Sequence, residues 1–251
     1  MRRMRLKTEL TEPSRKDETM GRKALIAGAT GAIGSVLIEL LNRSDQYSEI
    51  HCIGRREPPI SGEKIKSHII SYDELDQLSL PQPIDDVFCA IGTTIKTAGS
   101  VERFKKVDRD YVFQVGKLAQ RLKARTCSVV SAIGAKADSS NYYNQTKGEA
   151  EELLQSLGLR SLRIFRPSML HGTRDELRMK EAIGFAVLTI MTPVLQGPWK
   201  KYRAISIAQV AKAMHESALQ VYPAIQVFES DKIQNFLRHA SSTKPTFRST
   251  S

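Results

Sequence analysis

Three glycines between an apolar strand pattern and an amphipathic helix pattern constrain this chain more than any other feature. Residues 24–27 are predicted to form a strand, and the turn Gly28-Ala-Thr-Gly31-Ala-Ile-Gly34 follows directly. Apolar residues then recur at helical spacing over residues 33–41. Glycine allows a tight turn and a close approach of the backbone to a ligand. A strand, a glycine turn and a helix N-terminus in this order are typical of a site for phosphate groups.

The rest of the chain alternates between short apolar runs and helical patterns. Strands are predicted at residues 50–53, 68–70, 87–91, 128–133 and 162–165, with helices near residues 107–122 and 143–157. Short strands separated by helices are typical of a parallel sheet that is covered on both faces. The predicted fold class is therefore α/β, a Rossmann-like doubly wound parallel sheet with a small C-terminal lid or substrate region.

The length of 251 residues fits one domain better than two. We predict a basic tail over residues 1–21, a single dinucleotide-binding Rossmann domain over residues 22–235, and a polar tail over residues 236–251. Within the domain, residues 168–231 are predicted to form the lid or substrate region. Its expected elements are a helix near 180–192, a helix near 207–219 and a strand at 225–228.

The net charge of +11 raises the question of nucleic acid as a partner. Residues 1–23 and residues 232–251 each contribute +4, so most of the excess lies at the two ends of the chain. A surface that binds nucleic acid needs its charge on one folded face. We therefore predict no nucleic-acid binding.

The cysteines and the N-terminal segment bear on the cellular location. Cys52, Cys89 and Cys127 lie in or beside apolar runs, which predicts buried thiols, and no CxxC or Cys/His spacing indicates a metal site. No run approaches the ~20 apolar residues that a membrane span requires. The basic N-terminus lacks the apolar stretch of a secretory signal, and its acidic residues argue against an organelle transit peptide. These features predict a cytoplasmic protein without a metal or a membrane span.

The end of the second predicted strand, Gly54-Arg55-Arg56, bears on the choice of dinucleotide. Proteins that bind NAD usually have an Asp or Glu there for the ribose 2′-hydroxyl. Two guanidinium groups instead suit the 2′-phosphate of NADP(H), because arginine forms charge-assisted and often bidentate bonds to phosphate. We predict NADP(H) as the cofactor, with NAD as the alternative.

Tyr143 and Lys147 form a Y-x-x-x-K pair at the start of a predicted helix. Residues four apart share a helix face, and a nearby ammonium favours the phenolate, which makes the phenol a better proton donor. Tyr143 is then expected to protonate a carbonyl oxygen while hydride arrives from the nicotinamide. Ser131 is expected to donate a hydrogen bond to the same oxygen, and Lys147 to hold the nicotinamide ribose. The alternative is an ordinary helix aromatic and a solvated lysine.

The motifs occur in an order that resembles the atypical short-chain dehydrogenases of the Tat-interacting-protein class (oxidoreductase HTATIP) and their bacterial relatives. They are the glycine loop, Ile53-Gly-Arg-Arg56, Phe88-Cys-Ala-Ile-Gly-Thr-Thr94, Val107-Asp-Arg-Asp-Tyr111, Ser131-Ala-Ile-Gly-Ala135, Tyr143-x-x-x-Lys147 and Phe165-Arg-Pro167. The resemblance covers roughly residues 22–235, and its most specific part lies between Cys89 and Tyr111.

The resemblance implies that NADPH lies in the glycine loop, that Ser131, Tyr143 and Lys147 are catalytic, and that Arg166-Pro167-Ser168 lies near the nicotinamide. One departure is Asp108, because the wider superfamily has a catalytic Asn on the corresponding helix. The full set of cofactor-binding candidates is Gly28, Thr30, Gly31, Ala32, Ile33, Gly34, Arg55, Arg56, Ala90, Ile91, Gly92, Tyr143, Lys147, Arg166 and Pro167.

Three functions compete. The first is an NADP(H)-dependent reductase that transfers hydride to a small carbonyl substrate. The second is an NADPH-binding redox sensor that acts through a protein partner, which the short substrate region and Asp108 suggest. The third is a nucleotide-sugar epimerase with a resident cofactor. The candidates for lining a substrate pocket are Met169, His171, Trp199 and Tyr202, and the sequence does not specify an oligomeric state.

Overall fold

The structure is a computed structural model that describes residues 21–172 and 203–234. The strands in these ranges are β1 (Arg22–Ala27), β2 (Tyr47–Gly54), β3 (Ile65–Ile69), β4 (Asp86–Cys89), β5 (Thr126–Val130), β6 (Leu162–Arg166), β7 (Leu170–His171), β8 (Ile205–Ser206) and β9 (Ile225–Glu229). Seven of them form a sheet in the order β3-β2-β1-β4-β5-β6-β9, and every neighbouring pair is parallel. This confirms the predicted doubly wound Rossmann-like fold.

The helices in these ranges are α1 (Ala32–Arg43), α2 (Ile95–Ala98), α3 (Val101–Lys105), α4 (Val112–Arg121), α5 (Tyr142–Gln155) and α6 (Ile207–Ala218). At the start of α2, α3, α5 and α6, a polar side chain accepts a hydrogen bond from a free amide of the first turn. Asn141 caps α5, and Ser206 caps α6 in a reciprocal box with Gln209. A π-helical segment, Lys106–Tyr111, joins α3 to α4 without a break.

Helices cover both faces of the sheet, so successive strand residues point into two separate cores. On one face, Leu25 and Val87 pack with side chains of α4 and α5. On the other face, Ile26 and Phe88 pack with α1 and α6. Since both sides of each central strand are buried, the strands are continuously apolar instead of alternating.

The strands expected at 87–91 and 68–70 are shifted to Asp86–Cys89 and Ile65–Ile69, and three further differences from the expected elements bear on the site. The fifth strand ends at Val130, so Ser131 is the first residue beyond it. The helix expected from residue 107 begins at Val101, because Ser100 accepts a hydrogen bond from the Arg103 amide and caps it there. The strand expected at 225–228 joins β6 as the seventh strand of the sheet, so the C-terminal region contributes more than a lid.

Other sequence predictions have mixed outcomes. The helix expected near 180–192 lies outside the described residues, and the division of the chain into tails and domain stays a prediction. The three cysteines are buried free thiols, and burial raises the pKa of Cys52 to about 12 and that of Cys89 to about 11. Among residues 21–172 and 203–234, no helix combines the length and hydropathy needed to cross a membrane.

Candidate functional site

The carboxyl ends of β1 and β4 lie side by side where the strand order reverses, which is where open α/β sheets bind ligands. Two cavities of about 470 Å³ and about 820 Å³ adjoin at this point. Both are lined by Gly31 and Thr93 and by the residues Ala90, Ile91 and Gly92 that follow β4. They therefore form one elongated groove, which we call the switch-point groove.

The glycine loop lies against the end of β4 with no room for side chains. Gly28 has φ +89°, and a Cβ there would lie 2.7 Å from the Ala90 carbonyl oxygen. A Cβ on Gly34 would lie 2.0 Å from the Gly28 carbonyl oxygen. No side chain caps the first amides of α1, which begins directly after Gly31. Open amides at a helix N-terminus beside a side-chain-free loop fit the pyrophosphate of a dinucleotide.

The smaller cavity, at one end of the groove, is lined by four cationic side chains. Arg55 and Arg56 follow β2, and Arg103 and Lys106 come from the helix on the facing wall. Arg56 Nη2 donates to Thr30 Oγ1 at 3.4 Å, which ties it to the glycine loop. Lys106 forms an ion pair over 3.0 Å with Asp73. This end of the groove carries the charge that a phosphorylated ribose requires.

At the other end of the groove, Lys147 forms a buried ion pair with Asp108. The distance from Lys147 Nζ to Asp108 Oδ1 is 2.7 Å, and Asp108 Oδ2 accepts the Thr93 amide at 2.8 Å. Burial lowers the pKa of Lys147, but the adjacent Asp108 carboxylate outweighs burial, so the pKa lies above its ordinary value. Lys147 therefore stays an ammonium.

Tyr143 lines the larger cavity together with Lys147, Ser131 and Pro167. Its ring stacks on Phe104 of α3 with 5.5 Å between the ring centroids, so the neighbouring helix fixes the plane of the phenol. The preceding residue, Tyr142, is 58% exposed and does not line either cavity. Of the two adjacent tyrosines, only Tyr143 is available to a ligand in the groove.

Ser131 and Arg166 meet at a buried carboxylate that the sequence predictions did not include. Ser131 Oγ donates to Glu151 over 2.5 Å, and Arg166 donates to both oxygens of Glu151. Arg166 also binds Glu229, and these carboxylates raise the pKa of its guanidinium. Arg166 was a cofactor-binding candidate, but all three of its guanidinium nitrogens bind carboxylates and it lines neither cavity.

The structure brings most of the predicted site residues to this groove. The lining residues include Gly28, Thr30, Gly31, Ala32, Ile33, Arg55, Arg56, Ala90, Ile91, Gly92, Ser131, Tyr143, Lys147 and Pro167. Gly34 lines neither cavity and packs closely against the backbone of Gly28 and Ala29. Met169 also lines the larger cavity, whereas Trp199 and Tyr202 lie outside the described residues. The sequence analysis missed Glu151, although it lies four residues after Lys147 on the same face of α5.

The chain matches known proteins over most of its length. Residues 24–232 match the model of the NAD dependent epimerase/dehydratase family. HTATIP2 of Rattus norvegicus is 31% identical over 205 residues, which cover 80% of this chain and 83% of the relative. FMP52 of Eremothecium gossypii, named as a mitochondrial protein, is 32% identical over 152 residues, which cover 61% of this chain and 68% of the relative.

The fold has close structural counterparts. The Bordetella bronchiseptica enzyme WbmH in complex with NAD+ superposes with a TM-score of 0.62 at 17% identity, covering 83% of this chain and 76% of that one. At this identity the likeness concerns the fold alone. The matches to relatives confirm the predicted resemblance. The family description confirms a nicotinamide dinucleotide as the cofactor.

The predicted cytoplasmic location is wrong by these comparisons, because fungal relatives are named as mitochondrial proteins. The prediction depended on acidic residues among the basic residues of the N-terminal segment.

Proposed function

Because the chain belongs to the NAD dependent epimerase/dehydratase family, we propose that it is an NADP(H)-dependent oxidoreductase that reduces a small carbonyl compound. The observation that carries this proposal is the switch-point groove, which has a cationic end at Arg55 and Arg56 and a proton donor, Tyr143, at the other. Gly31 of the glycine loop lines both cavities and so lies between these two ends, where the pyrophosphate of a dinucleotide would bind.

The residues at the reacting end have separable roles in this proposal. The reduced dinucleotide supplies a hydride when it is bound. Tyr143 donates its phenolic proton to the substrate oxygen, so hydride and proton together convert a carbonyl to an alcohol. Phe104 orients the phenol ring by stacking. Lys147 provides a fixed positive charge beside Tyr143, and Asp108 holds that charge in position.

A phosphorylated dinucleotide is the preferred ligand in this proposal, because Arg55 and Arg56 suit a 2′-phosphate. Substituting both by alanine is expected to weaken NADPH binding at least about tenfold, with little change for NADH, since charge-assisted hydrogen bonds contribute roughly 1.5–3 kcal/mol. Fluorescence titration with both nucleotides measures this. Arg43→Ala, a substitution of an arginine at the far end of α1, is the matched control. Equal losses for NADPH and NADH would contradict the assignment.

Tyr143→Phe tests the chemistry. The variant is expected to lower kcat roughly 10²–10⁴-fold, because it removes the proton donor, while NADPH affinity stays unchanged. Tyr142→Phe is the matched control, since it removes a hydroxyl one residue away that faces solvent. NADPH oxidation over a panel of aldehydes and ketones gives the rates. Undiminished turnover in Tyr143→Phe would remove Tyr143 from the mechanism.

The competing functions predict different outcomes of the same assay. A redox sensor would bind NADPH but would not transfer its hydride to any carbonyl compound of the panel. Its affinity for a protein partner would change with the oxidation state of the cofactor. An epimerase would retain a cofactor that does not exchange. Among the described lining residues of the larger cavity, Lys147 is the only cation, and Asp108 already pairs with it. That composition favours a neutral substrate over a nucleotide-sugar diphosphate.

A further inference from the structure

The helical segment formed by α3 and the π-helical residues that follow it carries four cationic side chains. Three of them form ion pairs with carboxylates over 2.7–4.0 Å: Lys105, Lys106 and Arg109. The fourth, Arg103, forms no ion pair with a carboxylate in the part of the chain that the structure describes. Its side chain is exposed, so an anion can reach the guanidinium group from solvent.

Arg103 lines the smaller cavity of the switch-point groove, on the wall that faces Arg55 and Arg56. The charge of Lys106, which also lines this cavity, is balanced by Asp73 at 3.0 Å. Arg55 and Arg56, like Arg103, form no ion pair with a described carboxylate. None of the described residues that line the cavity is acidic. The cavity therefore holds three guanidinium groups without a counter-charge from the described residues, which favours an anionic ligand.

Two tyrosines join the wall that carries Arg103 to the wall that carries Arg55. Tyr72 Oη donates to the Ile53 carbonyl oxygen of β2 over 3.2 Å. The ring centroid of Tyr72 lies 5.2 Å from that of Tyr111, which ends the π-helical segment. Both rings line the cavity, whose volume of about 470 Å³ is in the lower part of the range for small-molecule sites. These contacts hold the two walls on either side of one ligand site.

We propose that Arg103 is a specificity-determining residue that binds the 2′-phosphate of NADP(H) from the wall that faces Arg55 and Arg56. This inference depends on the proposed function. A phosphate monoester carries about −1.5 to −2 charges at pH 7 and has three acceptor oxygens. Because these oxygens point in different directions, guanidinium groups on two walls satisfy more of them than groups on one wall. NADH has a hydroxyl at that position and gives Arg103 no charge to bind.

Titration of Arg103→Ala with NADPH and with NADH tests this inference. The variant is expected to bind NADPH about tenfold more weakly, with little change for NADH, because one charge-assisted contact to the 2′-phosphate is lost. Lys105→Ala is the matched control, since it removes the same charge from the same helix at a residue that lines neither cavity. It is expected to leave the affinity for both nucleotides near the wild-type values.

Two fragments of the dinucleotide identify the group that Arg103 contacts. Adenosine 2′,5′-bisphosphate carries the 2′-phosphate, 5′-AMP lacks it, and neither contains the nicotinamide, so the result does not depend on hydride transfer. Their affinities are measured by competition with NADPH. Arg103→Ala is expected to weaken binding of the bisphosphate about tenfold and to leave that of 5′-AMP unchanged. Thermal melting checks folding, and Arg103→Gln replaces Arg103→Ala if the alanine variant does not fold.

Three results would overturn the inference. NADPH and NADH bind equally more weakly to Arg103→Ala if the residue contacts the adenine or the pyrophosphate instead. NADPH binding is unchanged if Arg103 contacts no part of the cofactor. An equal loss in Lys105→Ala would mean that only the general field of the helix matters. A wild-type preference for NADPH that Arg55→Ala/Arg56→Ala removes leaves the proposed function intact in all three cases. A wild-type protein that binds neither dinucleotide overturns the proposed function, and the inference with it.

Discussion

Replacing Asp108 by alanine is expected to lower the free energy of unfolding by about 3–5 kcal/mol, because it leaves the buried Lys147 ammonium without its partner. The side chains of Lys147 and Asp108 are 5% and 0% exposed in the ion pair, so solvent cannot replace the lost carboxylate. Asp108→Ala also deprives the Thr93 amide of its acceptor. Urea unfolding of the wild-type protein and the variant measures the difference.

The pH dependence of this loss has a definite sign. Asp108 raises the pKa of Lys147 above the ordinary value of 10.5, so the stabilisation is fully present below pH 10.5 and is lost as the pH rises through the folded-state value. The difference in stability between the two proteins should therefore be large at neutral pH and should shrink only in alkali, where the part due to the lost Thr93 acceptor remains. Asp138→Ala, which breaks the exposed pair with Lys136, is the matched control. A loss no greater than in that control would mean that Lys147 is not held by Asp108.

Gly34→Ala is the second substitution with a large expected effect. Its Cβ would lie 2.0 Å from the Gly28 carbonyl oxygen and 2.7 Å from the Gly28 carbonyl carbon, which are backbone atoms that no side-chain rotation can move. The loop must shift away from α1, which we expect to cost about 3 kcal/mol of stability and to weaken dinucleotide binding more than tenfold. Thermal melting and NADPH titration measure the two effects.

The control for Gly34→Ala is a glycine at which a methyl group would make only ordinary van der Waals contacts. A Cβ on Gly62 would lie 3.4 Å from the nearest atom, the side-chain oxygen of Asn42, so Gly62→Ala is expected to leave both stability and binding near the wild-type values. NADPH binding that survives Gly34→Ala unchanged would mean that the loop does not contact the dinucleotide phosphates.

The sequence predicted the elements whose signals are local. The glycine turn, the apolar strands and the helical spacing after residue 33 all reflect short-range chemistry, and the sheet follows from their alternation. The place of β9 beside β6 was not predictable, because 58 residues separate Arg166 from Ile225 and no local pattern specifies which edge a returning strand joins. The sequence did not predict the start of α3, because Gly99 and Ser100 are as typical of a turn as of a helix boundary.

In the candidate site, too, the features with a local sequence signal were predictable and those that depend on tertiary contacts were not. Tyr143 and Lys147 share a helix face by spacing alone, so the sequence could pair them. The partners of Lys147 and Ser131 are set by tertiary packing: Asp108 approaches Lys147 from the π-helical segment, and Glu151 approaches Ser131 from α5. Sequence reasoning treated Asp108 as a departure from a superfamily pattern and could not identify it as the counter-ion of Lys147.

Because of the π-helical segment Lys106–Tyr111, the number of residues in this helix determines which side chains face the groove. Such a segment is equivalent to one extra residue in a regular helix, and each residue turns an α-helix by roughly 100°. Upstream of it Phe104 faces Tyr143, and downstream of it Val115 faces the core. Deleting one residue in the segment would leave a good helix with its downstream half still packed, yet would rotate the upstream half away from Tyr143. Relatives that differ by one residue here would therefore present different side chains to the same ligand.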